Sequence, residues 1–246
     1  MAEYDNRVRS WGGAQAAATY DMGLRAYMLR VYNYMLLGLG LTGLTALFTL
    51  NTPAFANLFF TFTARGYALA PLGWVVLFAP LGLVFFLSWR IQQMSFAAAQ
   101  MTFWIYAGLM GIGLTPVLYL YTGASVAQVF FVTAATFGAM SLWGYTTKRD
   151  LSGFGSFLFM GLIGLIIASL VNMFMQSSMM QWVISVAGVL IFTGLTAYDT
   201  QSIKETYYVG DDGSIAGKKA VMGALRLYLD FINLFLMLLR LMGDRR

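Results

Sequence analysis

The stretch LYLDFINLFLMLLRL, Leu227 to Leu241, is apolar for long enough to lie in a bilayer, yet it carries an aspartate at position 230. A second stretch, IFTGLTAYDTQSI from Ile191 to Ile203, places Asp199 in the same situation. Such segments set the fold class, because lipid offers no partner for backbone polar groups and only helices or closed barrels cross it. Both runs are continuously apolar and not alternating, so they read as helices.

The rest of the chain has the same character. Of its 246 residues 59% are hydrophobic and 10% charged, where soluble domains run at about 25% charged. The mean hydropathy is +0.71. The length is therefore better divided by the roughly 20 residues of a bilayer crossing than by the size of a soluble domain. The net charge of +5 is spread over loops and ends; with no basic run, nucleic acid is not an expected partner, and the positive charge reads as a topology device. The sequence has no Cys and no His. This excludes disulfides, thiolate nucleophiles, Ser/His/Asp and Cys/His catalysis, and His-based zinc sites. The chain is expected not to be an enzyme and to need no cofactor.

A window of roughly 19 residues finds seven apolar segments, near Tyr32–Leu50, Leu69–Trp89, Ala99–Tyr119, Ser125–Tyr145, Ser156–Gln176, Gln181–Gln201 and Met222–Met242. The opening MAEYDNRVRSWGGAQAAATYDMGLRAYMLRVYNYM is too long in its polar part for a signal peptide. Residues 1–30 are read as a cytoplasmic tail and residues 31–246 as a transmembrane domain. Arg7, Arg9, Arg25, Arg30, Arg90, Lys148, Arg149, Lys204, Lys218 and Lys219 fall on one side if the N-terminus is cytoplasmic. Arg65, Arg240, Arg245 and Arg246 fall on the other. This favours a cell-membrane protein with its C-terminus outside, while a six-crossing chain with a re-entrant last segment stays open. The glycines of GLGLTGL (Gly38–Leu44) and GLIGLIIASL (Gly161–Leu170) read as helix-packing positions.

Of the ten acidic residues only Asp199 and Asp230 fall inside apolar spans. An aspartate at mid-membrane costs at least about 2.5–3.5 kcal/mol, and such residues face the bundle interior and mark ion or proton paths. At ~1.5 Å per residue, Asp199 lies ~7.5 Å in from Lys204 and Asp230 ~12 Å in from Met222, on the same side. A carboxylate pair is geometrically reasonable. It would share a proton, and could sense pH or hold a hard cation such as Ca²⁺ without any histidine.

A plainer account is open for each neighbour. Arg226, one turn before Asp230, could neutralise it as a local ion pair. Asn233 follows at the next turn, and Tyr198, Thr200 and Gln201 could help Asp199 reach the interface. Arg90 closes the second segment, either as a cytoplasmic anchor or as a latch that pairs with the carboxylates. The loop YYVGDDGSIAGKK lacks the ligand spacing of an EF-hand, so Asp211 and Asp212 read as solvated turn charges.

On AYDTQSIKETY (Ala197–Tyr207), LYLDFINLFLMLLRLMG (Leu227–Gly243) and GIGLTPVLY (Gly111–Tyr119), the chain resembles the Bax inhibitor, or transmembrane Bax inhibitor motif, family in its bacterial branch. The resemblance extends from about Tyr32 to the end. It implies an all-α bundle of seven transmembrane helices with the last near the centre, and a pH-sensitive calcium leak governed by an aspartate pair. By motif position those aspartates are Asp199 and Asp230, and the family's latch arginine falls on Arg90. The resemblance also leaves a second function in view, in which the protein modulates a membrane-bound protease without conducting ions. Intramembrane aspartyl proteolysis fits less well: YD at Tyr198–Asp199 matches one of its motifs, but LYLD stands where GxGD is required, and bulky Leu229 crowds the backbone.

Overall fold

The computed structural model describes residues 2–63 and 66–246, with side chains throughout except at 2–19, 62, 63 and 66. Eight helices run in chain order: α1 Ala2–Asn51, α2 Pro53–Ala56, α3 Pro71–Arg90, α4 Phe96–Leu120, α5 Gly123–Thr146, α6 Ser152–Met175, α7 Ser178–Glu205 and α8 Gly213–Met242. All but the four-residue α2 contain stretches long and apolar enough to cross a membrane, and in α1 that stretch is Tyr20–Asn51. The architecture is the expected all-α membrane bundle. Between α2 and α3 an antiparallel hairpin, β1 Phe60–Thr63 and β2 Gly66–Leu69, pairs Phe60 with Leu69 and Thr61 with Ala68. Gly73 lets α3 start hard against this hairpin, since a Cβ there would meet the Phe59 carbonyl at 2.2 Å.

The helix ends follow ordinary capping chemistry. Ser95, Thr122, Ser177 and Asp212 accept a hydrogen bond from a backbone N–H in the first turn of α4, α5, α7 and α8. Asp212 is thus a cap, and Asp211 is ion-paired with Lys219 at 2.5 Å; neither is the free solvated charge the loop sequence suggests. Within the spans, Thr49, Thr133, Thr196 and Thr200 bond back to the carbonyl four residues earlier, which satisfies their hydroxyls inside lipid.

α8 is the axis of the bundle, packed against α1, α4, α5 and α7. Its Leu227, Tyr228, Leu234 and Leu239 are fully buried. α3 packs on α4 and α6 on α7, outside that inner ring. The closest helix approaches are made by glycine. A Cβ on Gly111 would lie 2.3 Å from the Thr42 carbonyl, and one on Gly144 2.2 Å from that of Ala197. Gly38 seats the Phe103 ring in the same way, whereas a Cβ at Gly40, Gly43 or Gly164 would meet open space.

Two boundaries differ from the sequence reading. No break falls at residue 30, because α1 is continuous and Leu24, Tyr27 and Met28 are already buried in the bundle core. α8 begins at Gly213, nine residues before Met222, since its first turns carry Lys218 and Lys219 and escape an apolar window.

The two ends of the bundle are chemically distinct. At one, Gln201 accepts from the Leu151 N–H and donates to the Arg149 carbonyl, Lys204 donates to the Tyr145 carbonyl, and Lys218 to that of Gln92. At the other, the C-terminus is strapped to the α4–α5 turn. Thr122 N–H donates to the Asp244 carbonyl, Arg246 N–H to that of Leu120, and Asp244 N–H to the Ser125 hydroxyl. α8 therefore runs the full length of the bundle. Arg65, assigned to this second end by sequence, lies outside the described residues.

Candidate functional site

Asp230 points away from the most tightly sealed side of α8. On that sealed side the Thr42 hydroxyl donates to the Ala107 carbonyl at 2.8 Å, and the Tyr228 hydroxyl stands 2.7 Å from Thr42. Tyr228 also meets Tyr106 edge to face, with ring centroids 5.4 Å apart. The hydroxyls of Thr42 and Tyr228 are thus both bonded.

Two residues on, the chemistry changes. Asp230 is 95% buried, being 5% exposed, and its carboxyl lies within side-chain hydrogen-bonding reach of that of Asp199 on α7. α7 and α8 are packed along their length, so the aspartates that are 31 positions apart in sequence become neighbours. Among the described residues, Oδ2 of Asp230 is buried without a hydrogen-bond partner, a condition shared only with the Thr193 hydroxyl. An orphaned carboxylate oxygen in a low-dielectric interior is costly unless something else satisfies it.

The pair opens onto a cavity of about 990 Å³ between α6, α7 and α8. Tyr198, Arg226, Leu229 and Asn233 share its lining with the two aspartates. A second cavity, of about 480 Å³, lies toward the lysine-rich end and is lined by Ser88, Thr206, Lys218 and Lys219 among others. Arg226 and Leu229 line both. They stand one turn apart on α8 and form the partition between the two spaces.

The remaining residues singled out by sequence fall into place unevenly. Arg226 is exposed into the cavities and close enough to act electrostatically on both carboxylates. It makes no ion pair with Asp230, since the salt bridge found among the described residues is Lys219–Asp211. Asn233 spends its amide on the Leu229 carbonyl at 2.8 Å. Gln201 is committed to the α5–α6 turn and gives nothing to the pair. Tyr198 packs its ring over Gly155 at the rim of the larger cavity. Arg90 is exposed in the last turn of α3. The partition role of Leu229 was missed, and its only sequence signal is its position one turn beyond Arg226.

Helices arranged around a buried last helix, with paired aspartates on the last two, define a class of multi-pass membrane protein. Comparison with known proteins gives the class its family. The model for the family described as "Inhibitor of apoptosis-promoting Bax1" matches residues 24–246, and the chain belongs to this Bax inhibitor family. Its relatives include the inner membrane protein YbhL of Escherichia coli, 48% identical over 226 residues, covering 91% of this chain and 94% of that one. A protein of Rickettsia prowazekii is 48% identical over 228 residues, 93% of each chain. One from Caulobacter vibrioides is 46% identical over 241 residues, 97% of this chain and 96% of the other.

Proposed function

We propose that the protein is a proton-responsive cation leak of the cell membrane, with Ca²⁺ as its principal permeant ion and the lysine-rich end facing the cytoplasm. The observation that carries this reading is the pair Asp199–Asp230 at the wall of one cavity, which shares Arg226 and Leu229 with the lining of a second. A cation entering past Thr206 and Lys219 meets the Arg226 guanidinium before it meets the carboxylates. With the pair ionised, Arg226 is attracted inward and closes the partition. Protonation weakens that attraction, and the approach of a cation competes with it.

Ca²⁺ takes six to eight oxygen ligands when it is held tightly. The site offers two carboxylates, and no group of three or more acidic residues that could hold a metal occurs among the described residues. Two acidic ligands suit brief occupancy during passage better than storage. The titratable or charged groups lining the cavity are Tyr198, Asp199, Arg226 and Asp230. With no histidine in the chain, a response between about pH 5 and pH 8 has to come from perturbed carboxylates. The reading includes no catalytic step and no cofactor.

The test is Ca²⁺ flux into liposomes containing the purified protein, measured across that pH range beside Asp199→Asn and Asp230→Asn. The wild type is expected to show a pH-dependent flux that either substitution flattens. Removing residues 1–18 should leave it intact, because both cavities are lined by residues from Val84 onward. Flux no higher than that of empty vesicles at every pH would end the leak reading and leave a regulatory role, such as modulation of a membrane-bound protease.

A further inference from the structure

The larger cavity has a shape that ion passage does not require. It is polar at one end and apolar at the other. The polar end holds Arg226, Tyr198 and the two aspartates, and the lining continues along α6 to Leu170 and along α8 to Met237. From Gly155 to Leu170 on α6 this is ~22 Å of helix at ~1.5 Å per residue. Its α6 wall carries Phe159, Met160, Ile166 and Leu170, all exposed, so the space opens sideways where lipid would lie. Because α6 packs on α7 and α3 on α4, this flank of α8 is left outside the inner ring. At about 990 Å³ the cavity reaches the upper end of the range for small-molecule sites, roughly 300–1,000 Å³, and has their usual make-up of apolar walls with a few converging polar groups.

We propose that this cavity is a binding site for a cationic amphiphile, a primary alkylammonium whose nitrogen sits on the Asp199–Asp230 pair and whose chain lies along α6 toward Leu170 and Met237. Three features fix the ligand class. The orphaned Oδ2 of Asp230 is an acceptor waiting for a donor, and a primary ammonium carries three. The acidic groups lining the cavity outnumber the basic ones two to one, so an ammonium supplies a second cationic partner beside Arg226, as buried charged groups require. The polar end is nearest the lysine-rich end and the apolar end lies deeper, which matches an amphiphile entering from that leaflet. A phospholipid with a phosphoethanolamine head fits the order of charges poorly. Its phosphate lies nearer the chains than its ammonium does, whereas here the carboxylates lie deeper than Arg226.

The inference uses the same aspartates as the leak reading and adds a ligand that would occupy them. It is tested without flux. Purified full-length protein in neutral detergent is titrated with decylamine and read by native mass spectrometry for a one-to-one adduct, with decanol and decyltrimethylammonium as controls of equal chain length. Decylamine is expected to bind roughly tenfold to a hundredfold more tightly than either control, the range for a charge-assisted hydrogen bond, and to lose that margin in Asp230→Asn or Asp199→Asn. Ser169→Phe, at the apolar end of the cavity, keeps the carboxylates. It should weaken decylamine several-fold and leave hexylamine unchanged. Equal binding of amine and alcohol, or a Ser169→Phe protein that binds decylamine as the wild type does, would overturn the proposal. The two readings fail separately. An amine that binds a protein showing no Ca²⁺ flux sustains this site without the leak, and a pH-dependent flux in a protein that ignores the amine sustains the leak without this site.

Discussion

Tyr228 and Asp230 stand two residues apart on α8, both almost wholly buried, and their surroundings are opposite. Tyr228 is closed in by Thr42, Tyr106 and Phe103, with its hydroxyl bonded and its ring packed on two others. Asp230 faces a cavity and a second carboxylate, with one oxygen unpartnered among the described residues. The first arrangement is what a polar group looks like when it holds helices together. The second keeps interaction capacity unspent inside a membrane, where doing so is expensive. Burial alone does not separate structural from functional polar residues; the state of their hydrogen bonds does.

The strongest way to break this comparison is to truncate each residue and compare thermal unfolding. Tyr228→Ala empties a packed site and strands the Thr42 partner, so a loss of about 3–5 kcal/mol is expected. A small change would mean that the sealed side is not what holds α1, α4 and α8 together. Gln201→Ala removes both bonds to the α5–α6 turn and leaves the buried Leu151 N–H unpaired, for about 1–3 kcal/mol. Its pH response in flux should match the wild type, because Gln201 does not serve the aspartates. Asp230→Asn should go the other way. Its amide can donate to Asp199, and the midpoint is expected to rise by the equivalent of about 1 kcal/mol; a fall as steep as that of Tyr228→Ala would place Asp230 among the structural residues.

The smallest effect is expected at a carboxylate fully in water. Asp150 accepts from Ser152 at the start of α6, and hydrogen bonds from the Ser152 side chain and backbone hold its pKa below the ordinary aspartate value. A carboxyl depressed in the folded state contributes stability above its unfolded value and loses it as pH falls through the folded one. The gap in unfolding midpoint between wild type and Asp150→Ala should therefore be slight at neutral pH and vanish in acid.

Much of this was legible before any coordinates. Five of the seven apolar helices lie within a few residues of the apolar runs, because bilayer thickness dictates their length, while α1 and α8 start further upstream. Asp199 and Asp230 stood out as the two acids inside those runs, and both line one cavity. What stayed hidden depends on neighbours far away in the chain. The two strands of the hairpin occupy eight residues of ordinary composition. That Arg226 faces two cavities follows from α3 and α6 lying outside the inner ring, which no local pattern announces. Arg90, read from the sequence as an anchor or a latch, is exposed at a helix terminus, as an anchor would be.

The position of α8 also bears on how the molecule assembles. The helix that α1, α4, α5 and α7 all pack against follows all four in the chain, so these earlier helices reach the membrane before their shared partner exists. Helix contacts in lipid depend on close packing and hydrogen bonds and not on hydrophobic exclusion. Until α8 arrives, Thr42 and Ala107 lack Tyr228, and the inner faces of four helices have only lipid or one another to touch. Assembly is then a late and concerted step, dominated by contacts between distant parts of the chain, and lesions on the sealed side of α8 should lower the yield of inserted protein before they change anything it does.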